Sequence, residues 1–284
     1  MSVVYLNGEF VPISLATVSV TDGGWLHGAA LFETMRAENG RVFRLESHVG
    51  RLLRSAAKLL RPVDRAELPS RVDFLDLLER NELKLARVRM TVSAGALADE
   101  ERTGFTVCVT ASPLAPPDAQ LYQSGVAVVI CNFKVAPSDP LAAHKTTAYL
   151  ARLLALRQTQ SLKCAEALWF TTGNHLAEGS ITNVFIAKNG LLTTPPESTP
   201  VLPGIARGII LDLARQADVS VRETPITIDD LFDADEVMLT SSIIQVLPVI
   251  RIEKHDVGDG LVGPLARRLL EAYRALVRKE CGTP

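Results

Sequence analysis

Short alternations of apolar and polar residues open the chain. Val3–Leu6 and Glu9–Ile13 flank Asn7-Gly8, a pair that tolerates the positive φ of a tight hairpin turn. Ala30–Arg36 and Arg41–Phe43 predict a second hairpin around Glu38-Asn39-Gly40. The period then lengthens. Leu45, Val49, Leu52, Leu53, Ala56 and Leu60 fall on one helical face, and Pro62 stops that helix. At 100° per residue, Arg51 stands about 160° from the centre of this stripe, facing away from its own core: it is either one charge of a wet face or points into a cleft with the second domain, and the pattern does not choose. Ser70–Asn81 reads as a further helix that buries Val72, Leu75 and Leu78. Ala86–Ser93 and Thr106–Ala111 alternate as strands around the acidic loop Ala98–Gly104.

A proline cluster, Pro113 to Pro117, follows and reads as an interdomain linker. The second half starts with an apolar strand, Val126–Cys131, and a helix predicted from near Lys145 to about Gln160. Strands are expected at Ala167–Thr171, Asn183–Lys188 and Leu191–Thr193. A loop with Pro195, Pro196, Pro200 and Pro203 leads to a helix over Gly204–Ala217. Strands near Ser220–Glu223 and Glu236–Thr240 and a closing helix from Pro264 to about Lys279 complete the chain. The division is an N-terminal domain over 1–112, a linker over 113–125 and a C-terminal domain over 126–284, each mixed α/β.

Composition narrows the function classes. Of 284 residues, 47% are apolar and 22% charged, so disorder is excluded. Lys+Arg 30 against Asp+Glu 32 gives a net charge of −2. Such a balance carries no bulk signal for nucleic acid or an anionic membrane, so any anion must be held by a local site. Cys108, Cys131, Cys164 and Cys281 make no CxxC pair and read as reduced thiols, with no metal site. The first twenty residues lack a basic n-region, and no apolar stretch reaches the length of a membrane span. A cytoplasmic protein is the expectation.

Several residues invite chemical readings, each with a plainer counterpart. Lys145, at the start of an apolar segment, suits Schiff-base formation because desolvation disfavours the ammonium, but taken alone it reads better as a lysine snorkelling to water. Glu178, followed by Gly179-Ser180, fits a turn facing a ligand or an ordinary surface turn. Leu202-Pro203-Gly204-Ile205-Ala206 enters a helix and would bare its first N–H groups to a phosphate. Thr240-Ser241-Ser242 ends a strand with three hydroxyls. His27, in the glycine-rich Asp22–Gly28 turn, reads as a structural or rim histidine.

The order of these segments resembles the fold type IV pyridoxal-phosphate enzymes, the class IV aminotransferases. That group includes branched-chain and D-amino acid aminotransferases and aminodeoxychorismate lyases. The resemblance runs from Asp22–Gly28 and Phe32-Glu33-Thr34-Met35-Arg36 through Gly40–Leu45 and His48–Leu52 to Lys145. It continues through Glu178-Gly179-Ser180, Asn183-Val184-Phe185, Leu202–Ile205 and Asp235–Val249. None of these is diagnostic alone; together, in this order and spacing, they are specific.

By that resemblance the cofactor is pyridoxal 5'-phosphate in a two-domain α/β fold. Lys145 is implied as the Schiff-base lysine and proton shuttle, and Glu178 as the carboxylate that pairs with the pyridine nitrogen. Arg51, the amides of Ile205 and Ala206, and Ser241 and Ser242 are implied at the phosphate, with Tyr149 near the ring oxygen. Phe32, Arg36, Arg102 and Ile243 are candidate substrate contacts. The implied partners are an amino acid and a 2-oxo acid exchanging an amino group through pyridoxamine phosphate. A homodimer with the active site at its interface is implied as well.

Certain departures leave the subgroup open. Ala206 stands where a threonine is frequent, Gly28-Ala29-Ala30 replaces Gly-Asp-Gly, and the spacing of Tyr149 from the lysine differs by one from the branched-chain enzymes. The loop after Ser93–Gly95 lacks the Arg-x-His of D-amino acid enzymes and the arginine-glycine pair of the lyases. Phe32-Glu33-Thr34 and Thr240–Ile244 look lyase-like, so elimination of pyruvate from aminodeoxychorismate is the alternative activity. A non-catalytic binding relative is the alternative of another class.

Overall fold

The computed structural model describes residues 2–96, 104–115 and 118–282. The chain divides into two units. One comprises Met1–Ala115, His144–Ala148 and Val277–Pro284; the other comprises Pro116–Ala143 and Tyr149–Leu276. Each has its own sheet, and the fold class is mixed α/β.

The first unit contains β1 (Val3–Leu6), β2 (Glu9–Pro12), α1 (Gly23–His27), β3 (Ala30–Glu38), β4 (Arg41–Val42), α2 (Leu45–Leu59), α3 (Arg71–Arg80), β5 (Ala86–Ser93) and β6 (Thr106–Pro113). Its antiparallel sheet runs β2-β1-β6-β5-β3-β4. Asp22 caps α1 by accepting the Gly24 N–H, and Gly28, at φ 66°, supplies the left-handed exit. Met35, Leu45, Val49, Leu52, Ala56, Val88 and Met90 belong to the core of this unit.

Two expectations fail here. Ser70 and Asp73 form a capping box that fixes the start of α3, and the face it buries carries Phe74, Leu77 and Leu78. Val72 and Leu75 are instead exposed, because a ten-residue helix on a sheet buries one narrow stripe. Lys145 does not begin a helix. The Phe32 N–H donates to the Lys145 carbonyl at 2.9 Å, and the Thr147 N–H donates to the Ala30 carbonyl at 2.9 Å. These bonds hold residues 144–148 along β3 and group them with the first unit. The sequence division expects this lysine in the C-terminal half; its short segment groups with the first unit.

The second unit contains α4 (Ala119–Ser124), β7 (Val126–Val135), α5 (Leu150–Ser161), β8 (Glu166–Thr171), β9 (Leu176–Gly179), β10 (Asn183–Lys188), β11 (Leu191–Thr194), α6 (Ile205–Gln216), β12 (Val221–Glu223), α7 (Ile228–Phe232), β13 (Glu236–Ser241), β14 (Gln245–Ile252) and β15 (His255–Asp256). The last helix, α8 (Pro264–Cys281), starts in this unit and ends in the first. The sheet order is β12-β11-β10-β13-β14-β7-β8-β9, with β15 beside β14. Strand β14 escapes a sequence reading because Pro248 lies inside it. The proline faces Met238 of β13, and the ladder to β7 begins only at Val249, so the missing N–H breaks no bond there.

The α3 assignment has a direct test. Phe74→Ala should cost about 3–5 kcal/mol and Val72→Ala less than about 0.5 kcal/mol, read from denaturant midpoints. Equal losses would reject the observed face.

Candidate functional site

In the first unit a buried carboxylate organises the arginine of α2. Glu33, on β3, is 1% exposed. Its Oε1 accepts from Arg51 Nε at 2.8 Å and its Oε2 from Arg51 Nη2 at 2.6 Å. His48 Nδ1 is 2.7 Å from Oε2; because an ionised carboxylate only accepts, Nδ1 carries the hydrogen. Arg51 is thus buried, which decides against its reading as one charge of a wet face. Periodicity sees only the apolar stripe, whereas a bidentate partner on the neighbouring strand lets a guanidinium leave water.

Burial works against the Glu33 charge, but the Arg51 charge and hydrogen bonds outweigh it and lower its pKa to about 2. Burial also lowers the His48 pKa, with the nearby Arg51 and Lys145 charges acting the same way. Half-buried Lys145 sets its Nζ 4.5 Å from the centre of the Phe32 ring. Arg89 lies over the same ring, with Cζ 3.8 Å from its centre. Arg36, a candidate substrate contact, gives its Nε to Glu38 at 2.6 Å.

The second unit gathers Tyr149, Glu178, the start of α6 and the turn after β13. Glu178 lies in β9 rather than in a turn, and it is 4% exposed. Its Oε1 accepts from Arg152 Nη2 at 2.5 Å. Its Oε2 accepts from the Leu202 N–H at 2.9 Å and from Asn183 Nδ2 at 3.4 Å. Asn183 Nδ2 also donates to the Leu202 carbonyl, which ties β10 to the segment entering α6. Across the sheet Asn183 faces Thr240, the residue before Ser241 and Ser242. Strand pairing and one asparagine therefore bring together the carboxylate, the helix start and the serine turn.

The α6 start has no side-chain cap. Gly204 precedes it so tightly that a Cβ there would meet Asn183 Oδ1, within 1.9 Å. Ala206 is buried and Ile205 partly exposed. The turn that follows β13 is shaped by the Ile244 N–H donating to Ser241 Oγ at 3.3 Å and by Gln245 at φ 62°. Tyr149 donates its hydroxyl to the Ser180 carbonyl at 3.0 Å. Ile243 lies in the same serine turn, and Arg102 falls outside the described residues.

Glu166 is a residue that pattern reading misses. Buried on β8, it accepts from the Ala167 and Ser180 N–H groups through one oxygen, and from the Ile181 N–H and Thr182 hydroxyl through the other. Burial raises its pKa in spite of these four donors. Arg152 and Asn183 also escape it as site residues. Arg152 lies three residues after Tyr149, the only spacing signal it offers, and Asn183 stands inside a matched motif.

Within the second unit, a buried carboxylate suits the basic ring nitrogen of a pyridoxal phosphate, and an uncapped helix start beside hydroxyls suits its phosphate.

The family model for amino-transferase class IV matches residues 30–252, most of the chain, so the protein belongs to that family. It is 34% identical over 283 residues to a putative branched-chain-amino-acid aminotransferase of Methanocaldococcus jannaschii, covering 97% of this chain and 96% of that one. A D-alanine aminotransferase of Listeria monocytogenes is 28% identical, with 98% and 97% covered. A branched-chain amino acid aminotransferase from T.th., solved with pyridoxamine 5'-phosphate, superposes with a TM-score of 0.89 at 28% identity, covering 97% of this chain and 94% of that one. The protein is accordingly an enzyme of the class IV aminotransferase type, whose cofactor is pyridoxal 5'-phosphate.

The Glu33 network predicts an acid response. Its folded pKa, about 2, lies below the ordinary value of 4.5, so its contribution is complete above pH 4.5 and disappears as the pH falls through about 2. At 1.36 kcal/mol per unit this is on the order of 3 kcal/mol. Glu33→Gln should flatten the stability curve in that window, followed by chemical denaturation at successive pH values. Parallel curves for the two proteins would contradict the ion pair.

Proposed function

We propose that the protein transfers an amino group between an amino acid and a 2-oxo acid, with Lys145 and Glu178 as its principal working groups. The observation that carries the reading is Glu178. Its buried carboxylate shares the Leu202 N–H, three residues ahead of the uncapped α6 start. One small molecule that bears a basic ring nitrogen and a phosphate would engage both.

When bound, pyridoxal phosphate supplies an electron sink for the charge left as an amino acid loses its Cα proton. The protein supplies the rest. Lys145 would hold the cofactor through its Nζ and, once released, would take up and return the substrate's Cα proton on that same atom. Glu178 accepts a hydrogen bond from the protonated ring nitrogen. The phosphate is held by the amides of Ile205 and Ala206, the Ser241 and Ser242 hydroxyls, and Arg51. Glu33 occupies Arg51 Nε and Nη2, fixing the plane of the guanidinium. Tyr149 would meet the ring oxygen, and Phe32, Arg36, Arg102 and the Ile243 amide would contact the substrate.

The pyruvate-eliminating alternative is not favoured, because the relatives reported above are named aminotransferases. Branched-chain L-amino acids and D-alanine are the first donors to test, by the names of those relatives. We further propose a cytoplasmic homodimer with the active site at its interface. Exposed Ile13, Leu15, Val18, Val20, Trp25 and Leu26, clustered in one stretch of chain, support such a partner surface. No helix among the described residues is long and apolar enough to cross a membrane.

Borohydride reduction of the holoenzyme, followed by peptide mapping, should place the pyridoxyl label on Lys145. Lys145→Ala should abolish transfer, and Arg51→Ala should weaken cofactor binding by roughly tenfold or more. A label on another lysine would reject the anchor, and unchanged cofactor retention in Arg51→Ala would reject the phosphate role.

A further inference from the structure

We propose that Arg152 is the positioning residue that fixes the Glu178 carboxylate for its contact with the cofactor, an inference that rests on the reading of Glu178 just given. Arg152 is the third residue of α5, and its guanidinium grips three consecutive residues. Nη2 donates to Glu178 Oε1 at 2.5 Å. Nη1 donates to the carbonyls of Gly179 and Ser180, at 3.1 and 3.0 Å. One planar group thus sets both the carboxylate and the backbone that carries it. The planar fork matters, because a lysine in its place would offer a point charge without the same geometry.

The electrostatics run in one direction. Glu178 is almost wholly buried, and its other oxygen meets neutral donors, the Leu202 amide and the Asn183 side chain. The titratable groups on the elements packed around it are Tyr149 and Arg152 at the start of α5 and Glu166 on β8. Tyr149 brings no positive charge, and an ionised Glu166 would repel a second carboxylate. The positive charge that offsets burial at Oε1 therefore comes from Arg152. Burial opposes that charge too, yet the Glu178 carboxylate beside it holds the arginine firmly protonated. With the guanidinium gone, no charge would offset burial at Oε1, and the carboxylate would lose the donor that sets its orientation.

The experiment is a visible-absorbance pH titration of the holoenzyme, with cofactor affinity measured alongside. Arg152→Gln keeps an amide donor for the carbonyls but removes the charge, so it separates electrostatics from folding; Arg152→Lys restores the charge. Arg152→Gln should make the bound-cofactor band pH-dependent where wild type is not, and should weaken cofactor binding by roughly tenfold. Arg152→Lys should suppress that pH dependence. In a Glu178→Gln background, Arg152→Gln should add nothing further. A titration unchanged by Arg152→Gln, or a new pH dependence that persists with Glu178→Gln, would overturn the role of Arg152 while leaving the assignment of Glu178 intact. Wild-type protein that shows no bound-cofactor band would overturn both.

Discussion

A carboxylate cannot leave water unless something replaces its hydration, and three buried glutamates obey that constraint in three ways. Glu33 takes a guanidinium and an imidazole. Glu166 takes three amides and a hydroxyl. Glu178 takes a guanidinium, an amide and an asparagine. Each set of partners joins elements that the hydrophobic pattern alone would leave independent: α2 to β3, β8 to the turn at 180–182, and α5 to β9 and the entry of α6. Polar burial supplies the positional precision here, and apolar packing supplies most of the stability.

The proximity of Glu166 and Glu178 shows how the work is divided. Glu166 spends its acceptor capacity on its own strand and on the backbone that follows Glu178, so its chemistry is used up in structure. Glu178 keeps a side chain whose donors approach from the helix side and the loop side, held but not enclosed by its own turn. Two acidic residues twelve positions apart in sequence thus serve different ends, and neither composition nor local pattern tells them apart.

Much of the fold was legible because amphipathic periods and turn residues act locally. Helix α2, the strands β5 and β6 on either side of the acidic loop, and helix α6 follow from their own residues. The failures share one cause, a partner distant in sequence. Lys145–Ala148 looks helical beside its apolar successors, but β3 offers unpaired backbone groups that capture it. Arg51 looks solvated until Glu33 appears beside it. Pro248 argues against a strand until the position of the β7 ladder is known. The candidate site was legible for a different reason. Lys145, Glu178 and Arg51 stood out through the order of several motifs, while Arg152 and Glu166 belonged to none of them and became visible only through their hydrogen bonds.

The composition of the first unit has a bearing on how the chain is made. Residues up to 115 emerge from synthesis first, yet the unit they form also includes residues 144–148 and the end of α8. Asn39 Nδ2 donates to the carbonyl of Gly282, and Arg44 pairs with Glu280. The segment built earliest is therefore completed last, and β3 must wait with an unsatisfied edge near Ala30–Phe32 until the lysine segment arrives. For that interval the nascent chain presents an open strand edge, a state in which early pairing with the wrong partner competes with completion of the fold.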